Sequence, residues 1–301
     1  MQAIAPLVVS DANLTSSNIP ENDHPQWSSL TTYALGDRVI SLVTHKIYES
    51  AANSNTGNDP TVDDGTFWIE VSATNRYKAF DGKLSDPATQ ADSIEYVINT
   101  GSNIINSMAL FRLFADTARV VVEDNASNVV YDETYTLLDN SSVIDWYTYF
   151  FEPTSERLEQ LLINDIPFYT NATITITLEN IGSTVEAGQV VLGQLTSLGR
   201  TAYGTEIGIE DFSRKDRDVF GNAIIIERAF AQTADYEVEI DTKDARRVQK
   251  FLAKYRTTPL VWIGQEDDAY GLIVYGFYTQ FSINLATPSI SYTTIEVEGL
   301  T

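Results

Sequence analysis

Catalysis near neutral pH calls for a base, a nucleophile or a ligand set, and this chain offers few candidates for any of them. Its 301 residues include two histidines and no cysteine. Thiol nucleophiles, thiolate metal sites and disulfides are therefore excluded together. His24 lies in a proline-flanked polar stretch, and His45 falls in the turn of a predicted hairpin. Both are expected to be exposed loop residues rather than bases or metal ligands. Carboxylates are abundant but scattered, and no pair is singled out for the spacing of about 5 to 9 Å that glycoside hydrolysis uses. No H-E-x-x-H, G-x-S-x-G or phosphate-loop pattern occurs. The segment NDPTVDDGTFWIE has the acidic and glycine content of a calcium loop. With Gly65 at the glycine position of that template, Pro60 stands where the first carboxylate belongs and Val71 where the bidentate glutamate belongs. A solvated acidic turn is the expectation there. No catalytic residue, metal site or cofactor is predicted, and the chain is read as a non-enzyme.

Charge narrows the range of partners. The 19 basic and 42 acidic residues give a net charge of -23. Such an excess repels nucleic-acid phosphate, whose binders displace counterions with Lys and Arg. It equally disfavours anionic membrane surfaces. No run of about 18 apolar residues occurs, so no membrane span is expected. The first residues lack the basic flank and apolar core of a secretory signal. Synthesis in the cytoplasm without export by that route is the expectation.

The elements that must position any site are predicted to be mainly strands. Aromatic residues make up 11% of the chain, 16 of them tyrosine, and Thr, Val, Ile and Tyr crowd together as pleated, half-buried strands require. Four regions follow from the pattern. Residues 1–26 form an N-terminal strand, with Ile4 to Val9 joining a sheet elsewhere, and a polar linker. Residues 27–75 form a small aromatic-rich β module, with strands near Arg38 to Leu42, Lys46 to Ala51 and Phe67 to Val71. A unit this small without disulfide or metal needs a tight aromatic core, which Trp27, Tyr33, Tyr48 and Trp68 can supply.

Residues 76–204 carry many short strand signals and are expected to form an antiparallel β-sandwich. In ATITITLEN the residues Ile174, Ile176 and Leu178 share the buried face. WYTYFFE is another predicted strand. TSERLEQLLI is a predicted helix, with Leu158, Leu161 and Leu162 at helical spacing and Thr154 or Ser155 as its cap. Residues 205–301 form a small α+β assembly unit. Its helix, DTKDARRVQKFLAKYR, places Val248, Phe251, Leu252 and Tyr255 on one face, with Asp241 or Thr242 as cap.

Two segments of that last unit stand out. DFSRKDRDVFGN sets Arg214, Lys215 and Arg217 among Asp211, Asp216 and Asp218. It reads equally as a solvated loop feeding a hairpin and as an intersubunit patch whose charges fix register. VYGFYTQF places Tyr275, Phe277 and Phe281 on one strand face with Tyr278 opposite, which suits a buried sheet surface.

The run from Trp27 to Trp68 resembles the small chitin-binding type of carbohydrate-binding module. The matching features are Trp27, Tyr33, the GDRV of Gly36 to Val39, the IYES of Ile47 to Ser50, the NTGNDP of Asn55 to Pro60, and Trp68. The resemblance implies that fold and, as an alternative function, glycan binding through Trp27, Tyr33, Tyr48 or Trp68. The sugar platform of that family often includes exposed aromatics just after the second strand, where this chain has ESAANSN. The middle region is similar in pattern to galactose-binding-like jelly rolls.

Taken with TNRYKAFD (Thr74 to Asp81), DFSRKDRDVFGN and the terminal YGFYTQFSI and SYTTIEVEGL, the chain resembles structural proteins of tailed-phage tails and baseplates. That resemblance implies a virion component that assembles with copies of itself and with other tail proteins. The alternative is a receptor- or glycan-binding protein on the tail tip, facing a host surface glycan. TNRYKAFD is then a junction, where Trp68 closes the small module and Tyr77 and Phe80 begin the next core.

Overall fold

A computed structural model describes residues 1–138, 146–151, 157–217, 220–265 and 271–301. The protein is mainly β, and fourteen of the described strands belong to one hydrogen-bonded sheet. Its spine is a single strand, Thr173–Ser197, 25 residues long. The alternation of Ile174, Ile176 and Leu178, all buried, with threonines sets its first half. That half pairs with Ala88–Asn99 and with Thr117–Glu123. Pairing with Ala88–Asn99 shifts between Asn180 and Thr184. The second half pairs with Ser107–Phe114 and, at its end, with the N-terminal strand Gln2–Pro6. ATITITLEN and QVVLGQL, which look like separate strands in the sequence, are therefore two ends of one ribbon.

The N-terminal strand carries the sheet onward. Its other edge pairs with Leu260–Ile263, which leads through Ile273–Asn284 and Ile290–Gly299 to Phe230–Asp241. Ile4 is buried at this seam with Phe111, Val191, Val261, Ile263 and Tyr275. The chains approach so closely here that a side chain at Gly193 would meet the Ala5 carbonyl oxygen at 2.0 Å. Only glycine fits that crossing. A larger core fills the central region around Tyr96, Met108, Leu110 and Ile176. Another lies between the C-terminal strands and the helix Ala245–Lys254, which buries Val248 and Leu252 against Tyr236 and Trp262. One 3-10 turn, Thr242–Asp244, precedes this helix, and neither Asp241 nor Asp244 makes a side-chain cap hydrogen bond.

Three local expectations are corrected. Gln160–Ile163 is a strand, not part of a helix, and pairs in register with Phe111 to Met108. The buried strand Ser107–Phe114 offers a ladder and an apolar face, and this tertiary partner outweighs the helical leucine spacing. The expected caps Thr154 and Ser155 lie outside the described residues. Trp146–Phe151 is a six-residue helix rather than a strand. In it Trp146 stacks on Phe150 at 5.9 Å, the i,i+4 contact a helix provides. Finally, the alternation of VYGFYTQF is broken by a bulge between Tyr278 and Gln280. An extra residue re-aims every side chain beyond it. Tyr275 stacks on Phe111 at the seam, while Tyr278 and Phe281 meet edge to face on the helix side.

Candidate functional site

The small module is three antiparallel strands, Arg38–Ser41, Lys46–Ser50 and Trp68–Ala73, with a short ladder of Thr32–Tyr33 and Asn55–Thr56. Gly36 turns the chain before the first of them at a φ of +87°. This is a conformation glycine adopts without penalty. Tyr33, Val39, Tyr48 and Trp68 form the core, with Trp27 and Phe67 packed at its margin. Trp68 is 2% exposed; its ring meets Tyr33 edge to face at 5.1 Å, and its indole donates to the Asn58 carbonyl. Asp63 Oδ2 accepts the backbone N–H groups of Gly65, Phe67 and Trp68, each at 3.0 Å. The acidic turn that resembles a calcium loop thus binds its own backbone. The four aromatics named for glycan stacking are brought together, but Tyr33, Tyr48 and Trp68 are buried in the module's core rather than presented to solvent.

Tyr77 is buried in the central core and Phe80 packs edge to face on Tyr96 at 4.9 Å. His45, expected to be an exposed turn residue, is instead partly buried and held between Asp11 and Glu21. Its turn position is visible in the sequence. Its partners are 34 and 24 residues away, and no local pattern reports them.

DFSRKDRDVFGN begins a projecting arm. Glu206–Asp211 pairs with the start of Phe230–Asp241, and beyond it Arg214–Arg217 pairs with Ala223–Ile226 as a separate two-stranded ribbon. All eight paired residues of that ribbon are exposed. Arg214 pairs with Asp216 inside the ribbon, and Lys215 Nζ lies 2.6 Å from Asp211 Oδ2. Hydrogen bonds from Lys215 and then Ser213 hold the Asp211 carboxyl well below the usual carboxylate range. Two of the three cations predicted as a contact patch, Arg214 and Lys215, therefore have acidic partners on the arm itself. The arm also has an apolar side. Ile224, Ile225 and Ile226 are exposed, and so are Ile207, Ile209 and Phe230 at the base. Because successive residues of a strand face opposite ways, three consecutive isoleucines put exposed apolar side chains on both faces of the ribbon, each opposite a charged residue of the partner strand. That unbroken apolar triplet is the signal that marks a strand lacking a solvent side.

A cleft of about 880 Å³ lies where Met1, Gly199 to Thr205, Ile207 and Leu272 meet; its lining includes Arg200, Tyr203 and Gln265 but no carboxylate or histidine among the described residues. No group of three or more His, Asp or Glu residues suited to a metal ion occurs among the described residues. No described helix is long and apolar enough to cross a membrane. No family model matches this chain, and no curated protein matches its sequence significantly.

Proposed function

We propose that this chain is a structural subunit of a tailed-phage virion, in the tail or baseplate, which assembles with copies of itself and with other tail proteins. The observation that carries this reading is the projecting ribbon with isoleucines on both faces. A two-stranded ribbon alone in water is marginally stable. An exposed apolar strand edge is a template for further pairing, which soluble proteins ordinarily cover or charge. Seating the arm on a neighbouring subunit removes both problems, and the apolar area it buries is the driving term.

A second copy is the occupant that charge favours. From Phe212 to Arg228 there are four basic and three acidic residues, so the rest of the chain carries the whole acidic excess. A near-neutral arm approaches an acidic body without the repulsion that two bodies feel. The finer reading of the central region as a closed jelly-roll-like sandwich belongs to the same proposal, because a closed unit of that kind serves as scaffold without needing a ligand.

Sedimentation of the purified full chain tests the self-association. A concentration-dependent oligomer that Ile225→Asp abolishes is expected. A monomer at the highest soluble concentration would overturn it. Mass spectrometry of purified virions tests the particle, and absence of the chain from them would refute that part.

A further inference from the structure

His45 sits on the turn between two strands of the small module with φ of +54°, a conformation a non-glycine residue holds only when its surroundings fix it. Its Nδ1 lies 2.8 Å from Glu21 Oε1 and its Nε2 lies 2.9 Å from Asp11 Oδ2. A carboxylate offers only acceptors, and a neutral imidazole has one N–H and one lone pair. Only the imidazolium, with a proton on each nitrogen, satisfies both contacts at once. The same groups are held from other segments. Tyr77 donates its hydroxyl to Asp11 Oδ1 at 2.7 Å and stacks its ring on the imidazole at 4.0 Å. Thr74 donates to Glu21 Oε1 at 2.8 Å, and Arg76 Nη1 stands 3.9 Å from Glu21 Oε2. Lys46, the next residue, turns its ammonium to Glu70, and Asp81 lines the same cleft. The His45 carbonyl accepts the Thr74 N–H at 2.9 Å, so the latch closes on the point where the chain leaves the module.

From this geometry we infer that His45 is a proton-operated latch, which fixes the small module to the linker and the junction when doubly protonated and frees it to hinge when one proton is lost. Three separate segments converge on one imidazole, and none of these contacts is needed to build the module's own aromatic core. The inference is independent of assembly.

The direction of the pH effect follows. Burial by itself lowers the His45 pKa, but the hydrogen bonds the ring donates to Asp11 and Glu21, with their negative charge, outweigh it and the net shift is upward. A raised folded value means that the latch contributes fully below the ordinary imidazole value of about 6.5. That contribution is lost as pH rises through the higher folded value. At the acid end, Asp11 is lowered by its hydrogen bonds to Tyr77 first and His45 second. Its share is present above the ordinary carboxylate range and is lost as pH falls through the depressed value. The latch is closed in between and opens on the alkaline side.

Long-range proton–nitrogen NMR of the full chain reads the imidazoles directly, since only His24 and His45 contribute. The expected result is an His45 ring protonated on both nitrogens above pH 6.5. Exchange protection of the Thr74 amide, corrected for intrinsic chemistry, should then fall as pH crosses the His45 transition. Glu21→Gln places an amide donor beside Nδ1, so a neutral ring is satisfied; the transition should move down and the loss of protection disappear. If that variant does not fold, Asp11→Asn, at the more exposed end of the network, is expected to act alike. Titration of His45 at or below the ordinary value, or Thr74 protection unchanged across the transition, would overturn the inference.

Discussion

In the small module, Tyr33, Tyr48 and Trp68 are buried against one another, whereas in the projecting ribbon Ile224, Ile225 and Ile226 face solvent from both sides. Both are two- or three-stranded antiparallel pieces of a few dozen residues or fewer, too small to be stable on backbone pairing alone. The module solves this from within, with an aromatic core and an aspartate that binds three backbone amides. The ribbon has no interior to fill. Its apolar side chains contribute to stability only when another surface covers them. The contrast distinguishes a part whose apolar side chains are covered from within from a part whose apolar side chains the fold leaves exposed.

The sharpest test of the first half is Trp68→Ala. Removing a fully buried indole that also donates to Asn58 is expected to cost about 3 to 5 kcal/mol. Hydrogen exchange should show the module open while the central sheet keeps its protection. Equal loss of protection in both regions would break the comparison, because the module would then not be a separate stabilising unit. Asp63→Ala should have the next largest effect, about 1 to 3 kcal/mol, since three amides lose a shared acceptor. Asp63→Asn, which keeps an acceptor oxygen, should cost less in the same thermal melts. Identical melting of the two variants would show that the carboxylate oxygen is not what organises the turn.

How much of this was legible follows the range of the interactions. The module could be read in order, because Gly36, the two central strands and Trp68 act through neighbours within about 40 residues and through local alternation. The C-terminal helix was legible for the same reason, its buried Val248 and Leu252 lying at helical spacing. Gln160–Ile163 was not, because leucines at helical spacing also suit a strand when Met108 to Phe111 waits across the ladder. The bulge after Tyr278 was hidden as well, since it depends on register with Val297 and Glu296. His45 shows the limit for sites. Its residue type and turn were plain, but its function rests on two acids that only the fold brings to it. The ribbon shows the converse, for the charged residues drew attention and the isoleucines beside them are what the structure leaves uncovered.

On the ribbon itself, Ile225→Asp should leave monomer stability within about 0.5 kcal/mol, as expected for an exposed side chain without buried partners. The oligomer should nevertheless dissociate in sedimentation experiments. A clear loss of monomer stability would mean that the isoleucine already packs within its own chain, and the ribbon would join the module as a self-sufficient piece.

The smallest effect is expected from the charges. Arg214 and Lys215 are paired with Asp216 and Asp211 on the arm, and exposed ion pairs of this kind contribute little to stability. If they fix register between copies, replacing Arg214, Lys215 and Arg217 together by alanine should flatten the salt dependence of assembly. The oligomer should persist, because the apolar contact remains. Sedimentation of this triple variant and of Ile225→Asp across a salt series ranks the two contributions. Dissociation of the triple variant with survival of Ile225→Asp would reverse the ranking. The arm would then be an electrostatic device, and the uncovered isoleucines would need another explanation.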